Sequence, residues 1–237
     1  NAQYPAPVAM RHVVGQLLPD VVFGCLHQAV PGLVPAEGTC CLWDLPMRGG
    51  YSVNTDASKT KFATELVHNG GTGGRPSKDG LSATAFPSGV MGSLVEITES
   101  VSPLIIWQRE YRQDSAGAGE FRGGLGQVLE ISSSEDAPIS LFAALDRINH
   151  APRGREGGKN GELGSLTLSN GTKLRPKGEQ IIPAGQRLTV LTPGGAGYGD
   201  PKDRTPERIA QDIDFGLISA DAAASDYGHR PGEEEQK

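Results

Sequence analysis

The chain has 237 residues, with 33 glycines, 17 prolines and a formal net charge of −6, and this acidic balance argues against a basic surface for duplex nucleic acid. No apolar run approaches the roughly 18 residues that cross a bilayer, and the start shows no signal-peptide pattern. Three cysteines, two of them adjacent, do not make a disulfide framework, so we expect a cytoplasmic protein. From the charge and the lack of a long apolar run, we expect neither nucleic-acid nor membrane partners.

The first predicted element is an amphipathic helix over residues 8–30. Apolar residues recur there at steps of three and four, from Val13 to Ala29. Pro19 lies inside this pattern and either kinks the helix or begins a second one. Because the apolar stripe is longer than one domain of this size covers, we expect part of it to form an interface. Residues 31–62 show no clear period and predict a loop-rich stretch with short strands.

The densest glycine cluster, at residues 69–80, is flanked by candidate functional residues. Its backbone N–H groups could cradle a phosphate, but the spacing matches no phosphate-binding fingerprint and favours a structural double turn. His68 before the cluster and Asp79 at its end could act as ligands or as an acid–base pair. Cys40 and Cys41 could supply a reactive thiol, although an inert buried cysteine is the commoner state. Because no HxH or HExxH spacing occurs, we expect no metal site in this chain.

From residue 93 onward the pattern predicts strands separated by turns. Partial alternation indicates one strand at 94–99, and apolar or aromatic runs indicate five more, at 104–112, 128–131, 139–143, 166–168 and 188–191. Thr205 and Ser219 are expected to begin two short helices. The predicted fold class is therefore α+β, β-rich with mostly antiparallel sheets, an N-terminal amphipathic helix and two short C-terminal helices.

The most distinctive stretch runs from Arg109 to Gly124, where a strand enters a glycine-rich turn that carries two acidic residues. Arg109 and Arg122 could clamp a carboxylate or a phosphate in a bidentate manner. Equally, arginine–aspartate pairs could simply lock the turn. No catalytic residue is identified, and the candidate substrate-binding residues are His68, Asp79, Arg109, Asp114 and Arg122.

Taken in order, the motifs resemble the hydantoinase B family, which includes the B subunits of ATP-dependent N-methylhydantoinases, the matching half of 5-oxoprolinase and the α subunits of acetone carboxylase. The resemblance covers nearly the whole chain and is carried by Pro5–Val8, Gly70–Gly73, Asp79–Gly80, Pro87–Ser88, Glu96, Glu99, Arg109–Glu110, Asp114–Gly119, Arg122–Gly124, Thr192–Gly195, Gly197–Pro201 and Tyr227–Gly228. Departures from the family pattern put the substrate identity in doubt and occur at His68–Asn69, Val90–Ser93, Ala196 and His229.

Members of this family are more than twice as long as this chain, so the resemblance implies the C-terminal half of a B subunit. A first residue Asn1 instead of Met agrees with the expectation of a cleaved or separately encoded half. We expect residues 1–92 to hold the first helix and a glycine-rich loop region that continues the core of a longer subunit. Residues 93–203 are expected to be β-rich, and residues 204–237 to hold the C-terminal helices and a charged tail.

The resemblance also implies an activity. A partner A-type subunit would use ATP and Mg²⁺ to phosphorylate a lactam or carbonyl oxygen, and the B subunit would open the ring with a metal-bound water. The metal ligands would lie in the missing N-terminal half, for a divalent ion such as Zn²⁺ or Mn²⁺. This chain would help form the chamber, with that half, the A-type subunit and a small-molecule substrate as partners. The alternatives are an acetone- or acetophenone-type ATP-dependent carboxylase and a purely structural half-subunit.

Overall fold

The computed structural model describes residues 12–50, 59–84 and 86–229. Its helices are α1 (His12–Ala29), α2 (Val95–Val101), α3 (Pro206–Asp214) and α4 (Ala220–Tyr227). Its strands are β1 (Leu42–Gly49), β2 (Phe62–Asn69), β3 (Leu104–Tyr111), β4 (Gln127–Ser133), β5 (Ile139–Ala144), β6 (Ser165–Leu168), β7 (Lys177–Ile182) and β8 (Leu188–Leu191). The charged tail from Pro231 and the first residues of the predicted helix, 8–11, lie outside the described residues.

The strands form two four-stranded sheets, in the orders β2-β1-β5-β7 and β3-β4-β8-β6. All the described strand pairs are antiparallel. Buried side chains face one another across each sheet, as in the pairs Leu45 with Leu66 and Leu129 with Val190. Both sheets contribute to one hydrophobic core, in which each fully buried aliphatic side chain contributes about 1.5–3 kcal/mol. The predicted α+β class with antiparallel sheets is confirmed.

The strand predictions succeed after residue 100, where the buried side chains of the predicted strands are mainly apolar. Five predicted strands are present, as β3, β4, β5, β6 and β8. The strand predicted at 94–99 is wrong, because this segment lies in α2, whose buried residue is the polar Thr98 while Leu94 and Ile97 are exposed. A helix with a polar buried residue and apolar exposed residues does not show the sequence pattern by which helices are predicted. β7 was not predicted because its first four residues are polar or glycine, and β2 was not predicted because it merges into the glycine cluster.

Outside both sheets, four glycine-rich segments pack side by side; this glycine bundle comprises residues 70–74, 117–124, 158–161 and 194–197. Its hydrogen bonds run from segment to segment: the Gly195 N–H donates to the Gly124 carbonyl at 2.9 Å, and the Gly124 N–H donates to the Thr72 carbonyl at 2.8 Å. A Cβ on Gly123 would lie 2.0 Å from the Gly195 carbonyl oxygen. The backbones are therefore closer than any side chain permits, and the glycine excess serves close backbone approach.

α1 is one continuous helix that contains Pro19, so a second helix does not begin there. Its polar residues Gln16 and Asp20 are buried, whereas Val14 and Val21 are 72% and 61% exposed. A surface helix normally shows the reverse arrangement. The predicted apolar stripe is present, and it faces away from the described part of the chain. No helix within the described ranges combines the length and hydrophobicity needed to cross a bilayer.

The C-terminal helices are confirmed. α3 follows Thr205 directly, and the Ser219 hydroxyl accepts a hydrogen bond from the Ala222 N–H at the start of α4. Gly228 ends α4 in the left-handed conformation, with φ 69°. The division of the chain into three regions stays a prediction, although β1 and β2 from the first region pair within one sheet with β5 and β7 from the second.

We expect Gly123→Ala to destabilise the protein by at least about 3 kcal/mol. The new methyl group would meet a backbone carbonyl, and backbone cannot rotate out of the way as a side chain does. The measurement is the free energy of unfolding from urea denaturation. Gly15→Ala in α1 is the matched control: a Cβ there meets nothing within 4 Å, and alanine in a helix interior should add about 0.5–1 kcal/mol. Equal stability of the two variants would contradict the close-packing account.

Candidate functional site

The candidate substrate-binding residues fall into three places. Asp79 and Arg122 lie together against α3. His68 and Arg109 are close enough for the arginine charge to act on the imidazole ring. Asp114 lies beside α4. The five residues therefore do not converge on one pocket, and their roles as substrate contacts stay predictions.

Asp79 and Arg122 belong to a buried ion network that also includes Arg204 and Asp212. Arg204 donates two hydrogen bonds to the Asp79 carboxylate, at 2.8 and 3.0 Å, and the Arg122 backbone N–H donates another at 2.8 Å. Asp212 accepts hydrogen bonds from the side chains of Arg122 (3.1 Å) and Arg204 (2.7 Å). Both arginines and Asp212 are at most 5% exposed. The charges of the network pair with one another and tie α3 to the glycine bundle.

His68 is a buried strand residue. Burial first, and the charge of Arg109 second, lower the pKa of His68 to about 4, while an interaction with Gln127 opposes the shift. The ring is therefore neutral at physiological pH, which argues against a cationic anchor for phosphate. Arg109 itself donates a hydrogen bond to the Ser93 carbonyl. Described contacts of Asp79 are with arginines, so the two members of the predicted acid–base pair are engaged separately.

Asp114 stabilises the start of α4. Its Oδ1 atom accepts a hydrogen bond from the Ser219 N–H at 2.7 Å, and its φ of 60° is in the left-handed region. Together with the pairing of Arg122 to Asp212, this contact favours the interpretation in which charged residues lock the turn after β3.

A second polar cluster has little signal in the sequence and was not predicted. Asp20 of α1 accepts hydrogen bonds from the Cys40 thiol (3.0 Å) and from Arg147 Nη2 (3.2 Å), both at Oδ2. Glu37 accepts from Arg147 (3.4 Å) and from Arg153 Nε (2.8 Å). The only sequence signal was the four-residue spacing of Gln16 and Asp20, which marks the polar face of α1.

The backbone of this cluster is strained at two positions. Cys40 and Arg147 have φ values of 51° and 55°, in the left-handed region that residues with a Cβ rarely adopt. Such conformations cost about 1–3 kcal/mol each and concentrate at functional sites. Cys40 and Arg147 both adopt such a conformation, and both contact the buried carboxylate of Asp20. This combination marks the cluster as a candidate site.

Burial sets the protonation of the cluster. It raises the pKa of Asp20 above its ordinary value, although the Cys40 thiol and the Arg147 charge act in the opposite direction. Burial and the neighbouring Asp20 charge raise the pKa of the Cys40 thiol well above its usual range. The Cys40 thiol is therefore a hydrogen-bond donor and not a nucleophile at neutral pH, which favours the inert alternative for this cysteine.

A cavity of about 220 Å³ lies between α1 and the glycine bundle, with Asp20 and Cys40 in its wall. Most of the lining is apolar, and it includes Phe23, Leu81 and Phe86. The rings of Phe23 and Phe86 stack with centroids 6.5 Å apart. Asp20 also borders a larger open groove, of about 920 Å³, on the Arg147 side of the cluster. One buried carboxylate thus borders both an apolar cavity and an open groove.

The chain offers no ligand set for a metal ion in its described ranges. No group of three or more His, Cys, Asp and Glu side chains is arranged to hold one. The carboxylates closest to such a set, Asp20 and Glu37, both pair with arginines. Residues 71–74 do not form an anion cradle either, because the N–H groups of Gly71 and Gly74 donate to the Pro193 and Ala196 carbonyls.

The chain is similar to known proteins both in sequence and in fold. The family model described as Hydantoinase B/oxoprolinase matches residues 1–201. A Pseudomonas sp. (strain NS671) protein assigned as the B-type component of a D-/L-hydantoinase is 29% identical over 96% of this chain and 38% of its own length. The crystal structure of ATP-dependent caprolactamase from Pseudomonas jessenii matches 100% of this chain and 42% of its own, with 25% identity and a TM-score of 0.82.

A nucleotide-free acetone carboxylase structure matches 85% of this chain and 31% of its own, with 24% identity and a TM-score of 0.65. At that identity the likeness concerns the fold alone. The chain spans about two fifths of the length of the hydantoinase component and of the caprolactamase chain.

The ion network predicts a loss of stability in acid. Burial alone would raise the pKa of Asp79, but hydrogen bonds and the positive charge from Arg204, with further charge from Arg122 and Arg208, lower it. The ionised carboxylate therefore stabilises the fold above its ordinary pKa of about 3.9. This contribution disappears as the pH falls through the lowered value of the folded state.

Asp79→Asn should remove this contribution. We expect a loss of about 3 kcal/mol at pH 7, because the buried Arg204 then lacks one of its two carboxylate partners, and a shallower decline of stability between pH 5 and pH 2. The measurement is the free energy of unfolding as a function of pH. Asp136→Asn, at an exposed position, is the control and should follow the wild type. An unchanged acid profile for Asp79→Asn would refute the network's role.

Proposed function

Because the chain belongs to the hydantoinase B/oxoprolinase family, we propose that it forms the C-terminal part of a B-type subunit in an ATP-dependent cyclic amide hydrolase. The observation that supports this most is the likeness of the whole chain to ATP-dependent caprolactamase. A lactam is a cyclic amide, and its carbonyl carbon is a poor electrophile until the amide oxygen is activated. An ATP-dependent enzyme is suited to that activation.

The chemistry is divided among several parts of the assembly. A partner A-type subunit uses ATP and Mg²⁺ to phosphorylate the amide oxygen of the substrate. The N-terminal half of the B-type subunit would hold a divalent metal ion, such as Zn²⁺ or Mn²⁺, as the family resemblance implies. This chain contributes walls and hydrogen-bonding groups to the chamber in which the ring opens.

The predicted substrate contacts differ in how available they are. Asp79 and Arg122 direct their charges to Arg204 and Asp212, so their contribution is to hold the chamber wall. Arg109 is partly exposed and retains the proposed role of contacting an anionic group of the substrate. His68 and Asp114 remain candidates for an influence on the substrate, which they would exert through neighbouring residues.

An ATP-dependent carboxylase of the acetone or acetophenone type is the alternative enzymatic function. It is supported by fold likeness to acetone carboxylase, with lower coverage and a lower TM-score than the caprolactamase match. A purely structural half-subunit is the third possibility. The two enzymatic functions differ in their products, since only a carboxylase incorporates carbon from labelled bicarbonate.

The outward face of α1 is proposed to pack against the N-terminal half of the B-type subunit. Leu18 and Val21 on this face are 58% and 61% exposed, and contiguous apolar patches on soluble domains mark interfaces. Most of the length of the related proteins lies outside this chain. The buried polar face of α1 is already engaged, which leaves the apolar face for the rest of the subunit.

The division of labour predicts that this chain alone does not hydrolyse lactams. The assay is ATP-dependent release of amino acid from a lactam panel, with the chain alone and with the N-terminal half and A-type subunit added. We expect turnover only in the complete mixture. Turnover by the isolated chain would contradict the proposal, and incorporation of labelled bicarbonate would favour the carboxylase.

The proposed interface predicts that Leu18→Asp blocks assembly. A carboxylate on the apolar face would lose its hydration when the N-terminal half packs against it. We expect at least a tenfold weaker association by analytical ultracentrifugation of the co-expressed parts. Phe215→Asp is the control, because Phe215 is an apolar residue after α3 that is at least as exposed as Leu18. Normal assembly of the Leu18→Asp variant would rule out this face as the interface.

A further inference from the structure

The cavity between α1 and the glycine bundle has the size of a small ring compound. Its volume is about 220 Å³. Pockets for drug-sized ligands are larger, at about 300–1,000 Å³. A five- to seven-membered ring with one carbonyl oxygen fits this volume, whereas a nucleotide does not.

The walls of the cavity select for an uncharged ligand. Phe23, Ala36 and Leu81 line it, and an apolar lining penalises a charged group that lacks a partner. The cation in the lining is Arg75, whose guanidinium already donates two hydrogen bonds to the Asp79 backbone carbonyl. Phe86 is 43% exposed, so the stacked pair of Phe23 and Phe86 lies at the solvent side. A planar or puckered ring can pack against these aromatic faces.

The polar end of the cavity accepts a hydrogen bond. Asp20 is 7% exposed, and the Cys40 thiol and Arg147 hold its carboxylate in place through Oδ2. A fixed, buried carboxylate attracts an N–H donor. The open-chain amino acid that hydrolysis produces carries both an ammonium and a carboxylate group, and both would lose hydration in this mostly apolar cavity. The cavity thus favours the closed ring of a cyclic amide.

We propose that this cavity binds the ring of a small, uncharged cyclic amide, with the amide N–H donating to the Asp20 carboxylate. The inference rests on the proposed function for the class of ligand, and on the cavity and the Asp20–Cys40–Arg147 cluster for the place. Cys40 and Arg147 are positioning residues in this arrangement. Their hydrogen bonds hold the carboxylate at the cavity wall, and both residues adopt left-handed backbone conformations.

The test uses three probes with the protein in its purified complex. ε-Caprolactam has the ring and the N–H, N-methylcaprolactam has the ring without the N–H, and 6-aminohexanoate is the open form. Calorimetric titration should give the tightest binding for caprolactam. The N-methyl compound should bind about ten- to a hundredfold more weakly, because it cannot donate to the carboxylate. The open form should bind more weakly still.

Two variants locate the binding. Asp20→Asn should weaken caprolactam at least about tenfold and reduce the discrimination against the N-methyl compound. Leu81→Trp narrows the cavity while it leaves Asp20 and its partners intact, and it should abolish binding. Leu163→Trp is the control, because Leu163 lines a separate surface hollow. Binding that survives Leu81→Trp, or that ignores the N-methyl group, overturns the proposal.

Activity assays separate this inference from the proposed function. ATP-dependent hydrolysis of lactams that persists unchanged in Leu81→Trp would overturn the cavity as the ring site while the hydrolase function stands. Specific binding of caprolactam without any ATP-dependent hydrolysis would support the cavity and contradict the function. The absence of caprolactam binding to the wild-type complex overturns the inference whatever the activity.

Discussion

The close packing of glycine backbones is the constraint on which the rest of the structure depends. Where Gly123 meets the Gly195 carbonyl, a Cβ would lie 2.0 Å from that oxygen, so the segments can pack only without side chains. Their hydrogen bonds run between segments that are far apart in sequence. The bundle thereby joins the two sheets to the C-terminal helices, through contacts such as that of Arg122 with Asp212 of α3.

The orientation of α1 follows from the polar groups that the rest of the fold presents to it. Asp20 and Gln16 find polar partners in Cys40, Arg147 and Ser88, and the desolvation of these groups is offset only while those partners are present. The helix therefore turns its polar face inward, and its apolar face remains for another surface. The polar face of α1 thus borders the cavity, and its opposite, apolar face forms the proposed interface.

Two buried charge clusters have different consequences in this fold. The cluster of Asp79, Arg122, Arg204 and Asp212 pairs acids with bases inside the chain, and it serves mainly to hold α3 against the bundle. The cluster at Asp20 borders a cavity and includes strained backbone at two of its members. A carboxylate beside open space has hydrogen-bonding capacity to offer a ligand, which is why the second cluster is the better candidate for recognition.

The sequence by itself determined the family, the α+β class, five strands with apolar inward residues and the two C-terminal helices. These features depend on local spacing, as in the alternation around Leu129 or the Ser219 cap. Tertiary structure alone decided that Thr98 lies inward in a helix, that α1 is inverted, and that Asp20, Cys40 and Arg147 meet. Asp20 and Arg147 are 127 residues apart, and burial of a polar residue depends on partners that no local pattern reveals. The same limit applies to Arg122, because no local pattern reveals its pairing with Asp212, 90 residues away in the chain.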